Sequence, residues 1–172
     1  MYKSIVISGQ IASGTSTAAK NVANKLNLKY ESAGDFFRKY VLDHNLPLHD
    51  KEQIPDDLDR KIDDKLTQLA QGGGYSIDAH YLCYFTKDDP QMLKVLLTCE
   101  DQERMNRAHK RIHTHIESDD EIKKREEGLD KKFRKLYADE NFLDPKFFDL
   151  VIDTTNINQE EVADTITEKF KS

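Results

Sequence analysis

The segment Gly9–Thr17, GQIASGTST, sets two glycines at the spacing G-x-x-x-x-G and follows them with three hydroxyl residues. Glycines at those positions let a backbone curl so that the N–H groups of Ser13 to Thr17 converge on an anion. A helix starting there adds its positive N-terminal end. The full phosphate-loop pattern continues with Lys and then Ser or Thr; here Thr15 stands in the lysine place and Ser16 in the hydroxyl place. Ser16 would therefore face Mg²⁺, directly or through water. Gly9, Gln10, Ile11, Ala12, Ser13, Gly14, Thr15, Ser16 and Thr17 are the candidate phosphate ligands, and some other cation must supply the charge Thr15 lacks. A strand–turn–helix crossover with no ligand would show the same small and hydroxyl residues.

Other residues with chemistry lie outside this loop. Arg38 follows SAGD in a stretch suited to gripping a phosphate, and Asp78 ends an apolar run where α/β proteins bind ligands. His80, two residues on, reads equally as ligand or packing residue. Arg104, Arg107, Arg111 and Arg125 stand among acidic residues, a pattern that by itself describes a salt-bridged helix face. His109, His113 and His115 approach a zinc spacing, but no nearby Cys completes a site, so a solvated surface is expected.

These groups need a scaffold, and the apolar periodicity supplies one. KSIVISG predicts a buried strand over Lys3 to Ser8, and Thr15 to Leu26 has helical spacing. LKYESAG, YSID, QMLKVLLTCE and FFDLVIDTT predict four more strands. Helices are expected over Asp35 to His44, along a stripe of Leu58, Ile62, Leu66 and Leu69, and from Glu160 to Phe170. Asp101 to Tyr137 reads as almost wholly helical and strongly charged. Strands alternating with helices predict an α/β fold, a five-stranded parallel sheet flanked by helices, in one domain of 172 residues. YLCYF is expected to be core.

The chain carries 26 Lys and Arg against 32 Asp and Glu, a net charge of -6, so any phosphate binding must be local and nucleic acid is not an expected partner. No apolar run is long enough to span a membrane, and the N-terminus enters a strand pattern at once. Cys83 and Cys99 lie in apolar stretches and are expected to be buried and reduced, which fits a cytoplasmic protein.

GTST, SAGDFFR, REEGLDKKFRKLY and DLVIDTT occur in an order that resembles the archaeal-type cytidylate kinases, a group of P-loop nucleoside monophosphate kinases, over almost the whole chain. In that group Thr commonly follows the second loop glycine, as Thr15 does here. The resemblance implies transfer of the γ-phosphoryl group of ATP, with Mg²⁺, to CMP or dCMP by a monomeric enzyme. Its fold would be that of the P-loop kinases, with an acceptor-binding insertion at about 35–72 and a helical lid at about 112–137. It implies that Ser32, Asp35, Arg38, Asp78 and His80 bind the acceptor. Arg107, Arg111 and Arg125 would be the catalytic cations, and Arg104 shares their helix. Two departures stand out: DAH, Asp78 to His80, ends in His where the group has Arg, and Leu129 replaces an acidic residue in the lid. Another nucleotide, a small metabolite, or binding without turnover are the alternatives these departures leave.

Overall fold

The computed structural model describes residues 1–47, 53–111 and 115–172. Five strands, β1 (Ser4–Gly9), β2 (Lys29–Ser32), β3 (Tyr75–Asp78), β4 (Met92–Thr98) and β5 (Leu150–Asp153), form one sheet in the order β2-β3-β1-β4-β5. Every pairing is parallel. Helices α1 (Thr15–Leu26), α2 (Ala33–Asp43), α3 (Asp56–Gly72), α4 (Leu82–Phe85), α5 (Asp101–His109), α6 (Asp119–Leu136) and α7 (Gln159–Lys171) cover both faces.

The central strand explains the layering. All six residues of β1 are buried, because a parallel sheet with helices on both sides leaves neither face wet. Ile5 and Ile7 point to one side, where they pack with Ala19 and Val22 of α1 and Ala163 and Ile166 of α7. Val6 points to the other, against Ile62 and Leu66 of α3 and Leu82 of α4. The strands all end at one edge of the sheet, and the loop Gly9–Gly14 emerges from the middle of that edge. Cys83 and Cys99 are buried and unbridged, as expected, and burial pushes the Cys83 thiol up to about 12.

Two elements differ from the sequence reading. The charged stretch is not one continuous helix: α5 ends at His109 and α6 starts at Asp119. Ser118 takes the backbone N–H of Glu121, while the Glu121 carboxylate takes the N–H of Ser118. That reciprocal cap starts a new helix, and its S-x-x-E signature is visible in the sequence. Residues 48–52 of the expected acceptor insertion, 112–114 of the expected lid, and His113 with them, lie outside the described residues.

The buried face of α3 is also turned from the predicted stripe. Asp59, Ile62, Asp63, Leu66 and Ala70 are buried, whereas Leu58 and Leu69 are half-buried. The aspartates face α6. Asp59, fully buried, meets the buried Lys132 ammonium at 2.7 Å, and Lys132 also donates to the Ile54 carbonyl. Asp63 accepts from Tyr137 at 2.6 Å. An apolar-periodicity rule cannot see a helix face whose partners are charged.

Removing one member of a buried pair leaves a charge without compensation, whereas replacing both with apolar groups does not. Lys132→Met is therefore expected to lose about 3–5 kcal/mol of stability in urea unfolding, and the double variant Lys132→Met/Asp59→Leu to regain most of it. A Lys132→Met loss under about 1 kcal/mol would show that the pair does not carry the α3–α6 contact.

Candidate active site

The strand, tight turn and helix start expected over GQIASGTST are present. Gly14 has φ of 102° and Ala12 of 67°, both left-handed, so the loop turns back on itself before α1 starts at Thr15. A Cβ at Gly9 would lie 2.5 Å from the Leu97 carbonyl oxygen, which explains why only glycine fits at the exit of β1. No side chain caps the N-terminus of α1 among the described residues, so its first amides have no side-chain acceptor there. Uncapped amides suit a phosphate, and the Ser16 hydroxyl beside the Asp78 carboxylate offers the oxygen donors a hard cation takes.

The loop is held from outside. Arg104, buried in α5, donates to the Ile11 carbonyl at 2.8 Å, and Glu126 of α6 accepts from the Ile11 N–H at 3.1 Å. Arg104 and Glu126 also pair with each other at 2.6 Å. Burial works against the Arg104 charge, but Asp101 and Glu126 more than offset it and hold its pKa above the usual value. On the other side, Thr154 donates to the Ser13 carbonyl at 2.8 Å. The sequence reading assigned no such role to Arg104, Glu126 or Thr154. The charged pair looked like surface, and Thr154 is only the first threonine of DLVIDTT.

Three of the cavities near this loop connect through shared lining residues. The largest, about 740 Å³, lies between Thr17, Asn21, Arg107 and the segment Ile157 to Glu160. The central one, about 240 Å³, is lined by the loop residues Gln10 to Ala12 and Gly14 to Thr17 together with Arg38, Asp78, His80, Arg111 and Arg125. It shares Gly14, Thr17 and Arg111 with the first cavity. The third, about 70 Å³, shares Gly34, Arg38, His80 and Arg125 with the central one and continues into apolar surroundings.

Asp78 sits at the centre, accepting from Ser16 and lying 3.5 Å from the Ser32 hydroxyl. Burial raises its pKa, partly opposed by the hydroxyls of Ser16 and Thr15 and by the Arg38 charge. Arg38 pairs with Asp35, one helical turn away. Arg125 pairs with the nearly buried Glu117, donating to both its oxygens at 2.6 and 2.7 Å. Arg111 makes no side-chain hydrogen bond or ion pair among the described residues. Burial, and then the neighbouring Arg125, lower its pKa. His80 packs edge-on against Phe142 with ring centres 6.5 Å apart.

Of the three arginines grouped as catalytic from the sequence, the structure brings two to the central cavity. Arg107 is not there. Its guanidinium is held by Glu103 at 2.8 Å and by the Thr154 carbonyl at 2.7 Å, on the wall of the large cavity. Lys20, not singled out from sequence, lines the central cavity because it lies one turn beyond Ser16 on α1. The histidines hold no metal cluster among the described residues: His109 pairs with Asp119 and His115 with Glu121.

The raised Asp78 pKa has a thermodynamic sign. A carboxyl whose folded pKa exceeds its unfolded one stabilises the fold when protonated, and that contribution is lost as pH rises through the folded value. Asp78→Asn is therefore expected to melt higher than the parent, with a gap in Tm that is wider at pH 7 than at pH 4. The same gap at both pH values would show that burial does not oppose this ionisation.

Comparison with known proteins agrees with this geometry. A family described as an AAA domain matches residues 5–131. The cytidylate kinase of Ignicoccus hospitalis is 34% identical over 166 residues, covering 94% of this chain and 95% of that protein. The cytidylate kinase of Sulfolobus acidocaldarius is 32% identical over 169 residues, covering 94% and 91%. The structure of a gluconokinase from Sinorhizobium meliloti superposes with a TM-score of 0.64 at 15% identity, covering 98% of this chain and 91% of that one, a likeness of fold. The chain belongs to the cytidylate kinase family of P-loop kinases and is an ATP-dependent phosphotransferase acting on nucleoside monophosphates.

Proposed function

We propose that this kinase transfers the γ-phosphoryl group of ATP to CMP or dCMP. The observation that supports it most is the series of three adjoining cavities, the loop lining the large and central ones and the small one opening from the central one. Phosphoryl transfer needs donor and acceptor brought in line more than it needs covalent help from the protein. The donor nucleoside occupies the large cavity, where Arg107 lies against it. The donor phosphates thread past Gly9 to Thr17 into the central cavity. The acceptor phosphate meets them there, held by Arg38 with Ser32, Asp35 and Asp78 around it. Ser16, with Asp78 beside it, would hold Mg²⁺, which when bound would neutralise charge on the donor phosphates.

In this reading Arg111 replaces the missing loop lysine. It borders both the donor and central cavities, and no described carboxylate pairs with it. Arg125 adds a second positive charge, while Glu117 fixes its direction. His80 borders the acceptor cavity and cannot form the two-pronged phosphate clamp of an arginine. The acceptor phosphate then relies on Arg38. Residues 35–72 serve as the acceptor-binding insertion and 112–137 as the lid that excludes water from the transfer.

The test is ADP release from ATP and Mg²⁺ with each nucleoside monophosphate in turn, CMP and dCMP being fastest. No acceptor-dependent ADP from folded protein would overturn the reading. Arg111→Ala is expected to lower kcat by about 10³-fold, in the range seen for cations that meet the transferring group. Arg107→Ala should mainly raise the KM for ATP, because its guanidinium faces the donor cavity. Equal kcat losses in both would show that the two arginines share one role.

A further inference from the structure

We infer that Lys20 is a further binding residue for the acceptor, its ammonium meeting the acceptor's phosphate beside Arg38. The inference rests on the phosphotransfer reading above only for which side of the loop the acceptor occupies.

Lys20 lies on α1 four residues after Ser16, so the two side chains share one face of the helix. Helical side chains lean toward the N-terminus, and the Lys20 stem therefore runs back over the turn that carries Ser16. That face is turned to the acceptor side. Ala18 and Asn21, on other faces of α1, line the large donor cavity, whereas Lys20 lines the central cavity and not the donor one, in company with Gly34, Arg38 and Asp78.

The ammonium is held but not neutralised. It sits 5.1 Å from the centre of the Tyr30 ring, on β2 two residues before Ser32. A ring face orients a cation and leaves its charge in place. No carboxylate pairs with Lys20 among the described residues, whereas Lys25, the other lysine of α1, is taken by Glu160 and by Asp164, the latter at 2.8 Å.

The charges on the acceptor side call for such a group. A phosphate monoester carries nearly two negative charges at pH 7. Arg38 brings one positive charge and shares it with Asp35. Arg125, which also reaches the acceptor cavity, is matched by Glu117. His80 does not supply the permanent charge of an arginine. Lys20 adds a cation with no carboxylate against it. Lysine suits the place, because a compact ammonium on a flexible four-carbon stem can follow a phosphate whose oxygens change partners as the donor approaches.

The test separates the phosphate from the base. Equilibrium binding of CMP against cytidine, and of UMP against uridine, is measured for the parent, Lys20→Met and Lys20→Arg, with ATP binding and turnover alongside. Lys20 is exposed and methionine is a good helix former, so the Met variant is expected to fold. Lys20→Met is expected to weaken the monophosphates by about tenfold, to leave the nucleosides and ATP within about twofold, and to raise the acceptor KM. Lys20→Arg, which keeps the charge, is expected to stay within about threefold of the parent. A monophosphate-to-nucleoside ratio in Lys20→Met within about twofold of the parent overturns the inference. So does an equal loss in Lys20→Arg, which would make the effect one of packing, or an equal loss of ATP binding, which would put Lys20 on the donor side. Phosphate-dependent loss without turnover of any acceptor would leave this inference standing and overturn the kinase reading. Turnover with an unchanged ratio would do the reverse.

Discussion

The rest of the site depends on holding a bare phosphate loop in one shape. With threonine in place of lysine, the backbone amides must do the anchoring, and amides bind an anion only if they already point at it. The loop is pinned at three points: at Gly9 by close approach to Leu97, at Ile11 by Arg104 and Glu126, and at Ser13 by Thr154. Ala12 keeps its left-handed φ of 67° within this frame, a conformation that surrounding contacts must impose on a residue with a Cβ. Because Arg104 comes from α5 and Glu126 from α6, the position of both helices is tied to the loop itself.

That tie decides how the charges are distributed. The protein is acidic overall, yet cations from three helices and from the segment after α5 line the central cavity: Lys20, Arg38, Arg125 and Arg111. Most of the arginines near the loop are committed to carboxylates or carbonyls, Arg104 to Asp101 and Glu126, Arg107 to Glu103 and Thr154, Arg125 to Glu117. These pairs keep a positive cluster from repelling itself apart. Arg111, beside Arg125, carries the repulsion that remains. Its charge is thus the one a phosphate would relieve most.

The α3–α6 contact is the second frame. Lys132 with Asp59, Tyr137 with Asp63, Lys135 with Asp56 at 2.6 Å, and Arg60 with the Leu136 carbonyl at 3.2 Å link the two helices along several turns. The Lys132–Asp59 pair is buried, and with the directional contacts around it fixes how α3 faces α6 more strictly than apolar packing would. A rearrangement of one helix must therefore carry or break the other's contacts.

The sequence by itself determined the sheet, the loop and most helix positions, because burial on a parallel sheet and the glycine spacing of a phosphate loop are local signals. Ser16, Arg38 and Asp78, singled out from the sequence, line one cavity. What the sequence could not determine was which charged residues face inward. Arg104, Lys132, Asp59 and Asp63 have the composition of a solvated helix face, and only the packing of α3 against α6 and of α5 against the loop buries them. The same limit separated Arg107 from Arg111: four residues apart on the chain, both line the large cavity, but only Arg111 reaches the central one, while Thr154 holds the Arg107 guanidinium. Periodicity reports how apolar a face is. Whether a polar face finds its partners depends on elements distant in sequence, and that was decided only by the tertiary structure.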